Sequence, residues 1–246
     1  MIPVQYKIST GLCTGISHLR QGLPCQDRIA VKKTETVVAG VLADGAGSCR
    51  HSDIGADCVT KAAADLLFAH FESLWLQKPE TRGKRILNAC MQALCRQSYP
   101  VCDMACTLLF FAAHQDGRFL AGHLGDGVII LEQRNELSVF SRPENGAQPN
   151  ETFFVTSADA LMHLRIYQGR WSGTGAFFLM SDGTADSLYH YSDQMPAAAC
   201  RTIASWLRNG SEDVISQALE MNMKQRLSAN TADDMSILVC SWSDEQ

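Results

Sequence analysis

Four apolar runs in this chain border on short acidic elements, and that arrangement restricts the fold more than any other feature of the sequence. Val37 to Ala43 leads into Asp44-Gly45-Ala46-Gly47-Ser48, Phe119 to Leu124 into Gly125-Asp126-Gly127, and Ala176 to Met180 into Ser181-Asp182-Gly183. The fourth element, Asp233-Asp234-Met235-Ser236, precedes Ile237 to Cys240. An Asp-Gly at the end of a strand puts a carboxylate just outside the sheet. The glycine permits a sharp turn and lets its own carbonyl approach a ligand. One such element is a turn. Four at the ends of core strands form an oxygen-rich set suited to hard divalent cations.

At 246 residues the chain suits one large domain or at most two small ones, and 46% hydrophobic content is enough for a substantial core. The formal charge of -5 and the lack of a Lys/Arg-rich run argue against nucleic-acid binding. Met1 to Lys7 lacks a basic segment followed by an apolar core, so no signal peptide is read there. The longest uncharged apolar segment, Met104 to Gln115, falls short of the roughly 20 residues that span a bilayer. The expectation is a soluble cytoplasmic protein without a membrane partner. The 10 cysteines include no Cys-x-x-Cys pair, and the spacings of Cys90, Cys95, Cys102 and Cys106 match no standard zinc knuckle. Most are expected to be reduced and buried.

Strands are predicted at Tyr6 to Thr10, Asp27 to Lys32 and Thr36 to Ala43. Val59, Ala62, Ala63, Leu66, Leu67, Phe71 and Leu74 then recur at helical spacing and predict one long helix. Pro79 suits the first turn of a second helix, with Ile86, Leu87, Cys90, Ala93, Leu94 and Gln97 on its inner face. Strands resume at Met104 to Ala113, Arg118 to Leu124, Val128 to Glu132 and Leu137 to Phe140, the first two joined by a hairpin at Asp116-Gly117. From Ser141 to Gly175 the pattern is broken by Pro143, Gly146, Pro149 and Gly169. It reads as an irregular insertion with a short helix near Ala158 to Leu164. A strand at Ala176 to Met180, helices near Gln194 to Leu207 and Glu212 to Arg226, and a last strand at Met235 to Cys240 complete the chain. Ser211 is the expected N-cap of the second of these helices. This order predicts a single α+β domain over residues 1–246. Two antiparallel sheets would be flanked by helix pairs in a four-layer α-β-β-α sandwich.

In order and spacing, the acidic elements resemble those of the metal-dependent protein phosphatases of the type 2C family, bacterial members above all. Gln26-Asp27 resembles the first acidic motif, Ala43-Asp44-Gly45-Ala46-Gly47 the second, and Cys106-Thr107-Leu108 the Gly-Thr-Thr strand. Gly125-Asp126-Gly127, Met180-Ser181-Asp182-Gly183 and Ala232-Asp233-Asp234-Met235-Ser236 resemble the later motifs, so the likeness covers nearly the whole chain. It implies hydrolysis of phosphoserine and phosphothreonine by a water bridging two Mn²⁺ or Mg²⁺ ions about 4 Å apart. The resemblance makes Asp44 the bridging ligand, with the Gly45 carbonyl on the second ion and Asp182 and Asp233 on the first. Asp27 would act through coordinated waters, Asp126 would hold a third, weaker ion, and Asp234 would serve as a hydrogen-bonding neighbour. Asp44, Asp182 and Asp233 are the expected catalytic set. Phosphorylated proteins are the implied partners, with a cognate serine/threonine kinase beside them. The insertion at about 141–175 lies where the family carries its variable flap.

Three positions depart from the family pattern. Gln26 stands where many relatives carry an acid. Gly22 stands where eukaryotic relatives carry a phosphate-gripping Arg, which leaves His18 or Arg20 as the candidates for that role. Ala46 stands where those relatives carry a His that protonates the leaving group. Two alternatives remain beside the protein phosphatase: a catalytically silent regulatory module of the same fold that binds a kinase or phosphoprotein, and a small-molecule phosphatase.

Overall fold

The computed structural model describes residues 3–146 and 152–243. Its strands are β1 (Gln5–Cys13), β2 (Arg28–Lys33), β3 (Val37–Ala43), β4 (Leu108–His114), β5 (Arg118–Leu124) and β6 (Val128–Gln133). They continue with β7 (Glu136–Ser141), β8 (Arg165–Arg170), β9 (Gly175–Met180), β10 (Tyr189–His190), β11 (Met195–Pro196) and β12 (Met235–Ser243). The helices are α1 (Ile16–Gln21), α2 (Ser52–Ala69), α3 (Phe71–Trp75), α4 (Pro79–Cys95), α5 (Ala160–His163), α6 (Asp182–Leu188), α7 (Ala199–Asn209) and α8 (Glu212–Gln225). The fold is α+β with two five-stranded antiparallel sheets and helices. Among the described residues no helix is long and apolar enough to cross a membrane.

The described residues divide into two compact units. One comprises Gln26–Asp126 and Pro143–Trp171, and its sheet runs β2-β3-β4-β5-β8. Alternate residues of its central strands, Ala39 and Val41 on β3 and Leu108, Phe110 and Ala112 on β4, share a core with Val59, Ala63 and Leu67 of α2 and Ile86, Cys90 and Leu94 of α4. The long helix expected through Leu74 breaks at His70, whose backbone (φ -125, ψ 22) leaves the helical region. Phe71 and Leu74 carry the apolar stripe on into α3, so periodicity alone does not reveal the break. Gln97, expected on the inner face of α4, lies beyond the helix end and is exposed. Arg82 is buried in its place, donating hydrogen bonds to the carbonyls of Leu74, Trp75 and Gln77 and to Gln168 Oε1.

The insertion is more ordered than its composition predicts. It contributes β8, paired antiparallel to β5 at the sheet edge, where its two arginines, Arg165 and Arg170, suit a charged margin. Gly169 belongs to this strand: a Cβ there would lie 2.6 Å from Phe119, whose ring stacks on Trp171 at 3.7 Å. Pro149 falls outside the described residues.

The other unit comprises the described residues up to Cys25, Gly127–Arg142, and those from Ser172 onward; its sheet runs β1-β12-β9-β6-β7. Ile203, Ala204 and Leu207 of α7 and Ile215, Leu219 and Met223 of α8 pack with Val128, Phe178, Ile237 and Val239 of that sheet. The β6–β7 hairpin turns at Arg134 and Asn135, both with positive φ, as a tight antiparallel turn requires. The helix expected from Gln194 begins only at Ala199, because Pro196 is taken into the β10-β11 hairpin. Helices α1 and α6 are too short to mark the sequence with a period. Ser211 does precede α8 with extended backbone, yet its hydroxyl makes no capping hydrogen bond.

Candidate functional site

In the unit built around α2 and α4, the acidic elements gather at one end of the sheet through the strand register. Arg28 at the start of β2 pairs with Ala43 at the end of β3, and Leu108 at the start of β4 pairs with Leu124 at the end of β5. Asp27, Asp44 and Asp126 therefore follow or precede strand ends on the same side. Thr107 organises this edge. Its hydroxyl accepts the Asp44 N–H at 2.9 Å, and its own N–H donates to the Asp44 carbonyl at 2.8 Å. Both main-chain groups of Asp44 are thus held, which fixes the base of its side chain. The next residue, Gly45, forms an antiparallel bridge with Cys106. A Cβ at Gly45 would stand 2.9 Å from both the Gln26 carbonyl oxygen and the Ser52 Cβ, so glycine is required there by space. Gly125 has φ 115, and a Cβ on it would meet Thr107 at 2.6 Å. Thr107 is the shared wall beneath Asp44 and the Gly125-Asp126 turn. Asp27 is fully buried and Asp126 half-buried.

In the other unit, β9 and β12 pair through Met180 and Ile237, and two bonds extend the contact beyond them. Ser181 N–H donates to the Ser236 carbonyl at 3.1 Å, and Ser236 N–H donates to Ser181 Oγ at 3.0 Å. This brings the start of α6 against the Asp233-Asp234 turn. A Cβ on Gly183 would come within 2.1 Å of the Asp234 carbonyl oxygen and 3.4 Å of Asp233 Cβ. The adjacent acids face different surroundings. Asp233 is exposed, with Oδ1 accepting the Asp234 N–H at 2.8 Å. Asp234 is buried: its Oδ1 accepts the Gly15 N–H at 2.7 Å, and its Oδ2 lies 2.9 Å from His18 Nδ1. Asp182 Oδ1 accepts the Gly183 N–H at 2.6 Å.

The His18–Asp234 contact could not be read from local sequence, because α1 carries too few residues to announce itself. His18 is nearly buried, while Arg20 is exposed near the end of the same helix.

The donors at these positions are carboxylate oxygens and a glycine carbonyl, the ligand chemistry of Mg²⁺ and Mn²⁺. Two of the acids adjoin glycine cradles that a Cβ would fill, at Gly45 and Gly183. The residues present fit hard divalent cations. Among the described residues, no three His, Cys, Asp or Glu side chains are gathered as a ready cation-binding group. Thiol chemistry is disfavoured at this edge. Cys106, which bridges Gly45, is fully buried, and desolvation pushes its thiol well above the ordinary range; Cys90 is pushed up to about 12 by the same cause.

The cramped position of Gly183 gives a prediction that involves no chemistry of its own. Gly183→Ala forces a methyl against main chain, so the Asp182 helix start and the Asp233-Asp234 turn must separate. A destabilisation of about 1–3 kcal/mol is expected, with weakened Mn²⁺ binding. Thermal melts and calorimetry read both quantities, and unchanged values would show that the turn yields freely.

A family model described as protein phosphatase 2C matches residues 14–231. Serine/threonine-protein phosphatase 3 of Escherichia coli (strain K12) is 24% identical over 247 residues, covering 94% of this chain and 96% of that protein. Among solved structures, the catalytic domain of the serine threonine protein phosphatase PstP in complex with 2 manganese ions matches with a TM-score of 0.67 at 16% identity, covering 98% of this chain and 99% of that one. RsbX in complex with magnesium matches with a TM-score of 0.55 at 18% identity, covering 99% of this chain and 100% of that one.

Proposed function

This chain belongs to the protein phosphatase 2C family of metal-dependent serine/threonine phosphatases, and on that premise we propose that Asp44, Asp182 and Asp233 are its catalytic cation ligands. The Gly45 carbonyl completes the set, Asp27 acts from the outer sphere, and Asp126 serves a third cation beside the main two. When bound, Mn²⁺ or Mg²⁺ lowers the pKa of water and screens the phosphate charge for in-line attack. The observation that carries the assignment is the pair of cramped glycines: next to Asp44 and to Asp182 stands a residue whose missing Cβ is replaced by neighbouring protein atoms. Such packing presents a carboxylate at fixed geometry, as a charged transition state requires.

The chain's own residues divide the remaining tasks. Thr107 holds the Asp44 main chain from both sides. Asp234, whose Oδ1 accepts the Gly15 N–H, sets its Oδ2 2.9 Å from His18 Nδ1 and so fixes the place of the first candidate for the phosphate grip, His18. Arg20, on the exposed side of α1, is the second candidate for that grip. Ala46 offers no proton to the leaving alkoxide. On this reading one phosphatase domain over residues 1–246 acts on phosphoproteins made by a cognate serine/threonine kinase, and the segment at about 141–175 contributes to substrate choice. Its ten free thiols support action in a reducing cytoplasm.

Turnover of phosphoserine and phosphothreonine peptides in Mn²⁺ tests the reading against free phosphoserine. Contacts remote from the reacting phosphate favour the peptide, so its kcat/KM is expected to be higher by roughly tenfold or more. Preference for the free amino acid would make the protein a small-molecule phosphatase. Tight peptide binding without turnover would make it a silent module.

A further inference from the structure

One cavity lies apart from the acidic elements, within the unit that carries α6, α7 and α8. It has a volume of about 330 Å³, within the range of small-molecule sites. Leu188, Ile203, Leu219, Met223 and Ile237 make most of its wall apolar. Thr184, Thr202, Asn222 and Arg226 break that pattern, and two of them, Thr184 and Arg226, are distinctive. Thr184 lines the cavity and is wholly buried, and its hydroxyl has no hydrogen-bond partner. Helical threonines often satisfy the hydroxyl on the carbonyl four residues back. Thr184 stands in the first turn of α6, and four residues back is Met180, the end of β9, so that helical acceptor is missing. A buried hydroxyl left in this state invites a polar atom from elsewhere.

The second residue is Arg226, just past the end of α8. It is exposed and makes no ion pair among the described residues. No acidic side chain lines the cavity, so the guanidinium is its sole formal charge. Trp206, 43% exposed, stands with it in the lining.

We propose that this cavity binds a small amphipathic carboxylate bearing a hydroxyl at its far end. The carboxylate meets the Arg226 guanidinium, the aliphatic body lies among the apolar side chains, and the terminal hydroxyl reaches Thr184. Each part follows from a feature of the wall: a lone cation for the anion, an apolar passage for the body, an unsatisfied buried hydroxyl for the polar end. The site is separate from the phosphatase chemistry, although its wall shares α6 with Asp182.

The experiment uses the whole chain stripped of metal, so its outcome does not depend on catalysis. Straight-chain ω-hydroxyalkanoates of roughly six to ten carbons are titrated against alkanoates and 1-alkanols of equal length. Trp206 emission and melting temperature are the readouts, with Trp206→Phe assigning the fluorescence change. Saturable binding is expected for the ω-hydroxy acids, about tenfold tighter than for either comparison series. Thr184→Val keeps the side-chain shape. It should leave the fold intact and abolish the preference for the terminal hydroxyl alone. Arg226→Gln should remove the preference for acids over alcohols and leave alcohol binding unchanged. Absence of saturable binding in every series would overturn the proposal, as would binding indifferent to both substitutions.

Discussion

Asp44→Asn is expected to lower kcat/KM on a phosphoserine peptide by about a thousandfold or more, with the metal-free protein melting where the wild type does. The substitution exchanges one carboxylate oxygen for an amide nitrogen and removes a full charge without changing volume. The Asp44 contacts with Thr107 use only main chain on the Asp44 side, so they survive in the mutant. Asp182→Asn follows the same logic. An asparagine Oδ1 still accepts the Gly183 N–H, which keeps the start of α6 in place while the negative charge is lost. The two variants therefore separate charge from architecture. Assays with saturating Mn²⁺, paired with melts of the apo protein, give the answer. Near wild-type turnover in both would mean that the cation ligands lie elsewhere. A large fall in melting temperature would mean that these carboxylates serve the fold.

The acidic elements are legible in the sequence because turn chemistry is local. An aspartate next to a glycine at the end of an apolar run declares a strand end, and three of the four elements follow the ends of β3, β5 and β9, while the fourth, Asp233-Asp234, leads directly into β12. The long apolar strands are legible for the same reason: β3, β5 and β9 fall within a residue of their expected limits. What escapes is short or disguised. α6 has seven residues, too few for a period, and the Ser-Asp-Gly at its start looks like any turn. β8 is disguised by its charges and by Gly169, which periodicity treats as a breaker although its lack of a Cβ accommodates Phe119. The roles of Asp233 and Asp234 depend on burial that no spacing encodes. Only the packing of Gly15 and α1 beneath the turn turns Asp234 inward onto His18 and leaves Asp233 outside.

Removal of divalent cations is expected to abolish turnover, and re-addition of Mn²⁺ to restore it more fully than Mg²⁺ or Ca²⁺. The thiol of Cys106, the residue that bridges Gly45, is sealed from solvent and pushed well up by desolvation, so it stays protonated and unreactive at neutral pH. Cysteine reagents applied to the native enzyme should accordingly leave activity in place. A second readout is independent of catalysis. A ligand that binds only the folded state stabilises it by about 2.7 kcal/mol at a hundredfold excess over its Kd, so Mn²⁺ should raise the melting temperature of the wild-type protein. The rise should shrink in Asp44→Asn and Asp182→Asn, because each has one charged ligand fewer. Activity that persists in fully chelated protein would exclude a cation-dependent mechanism. Lost activity without any Mn²⁺-induced stabilisation would move the metal requirement from the enzyme to its substrate.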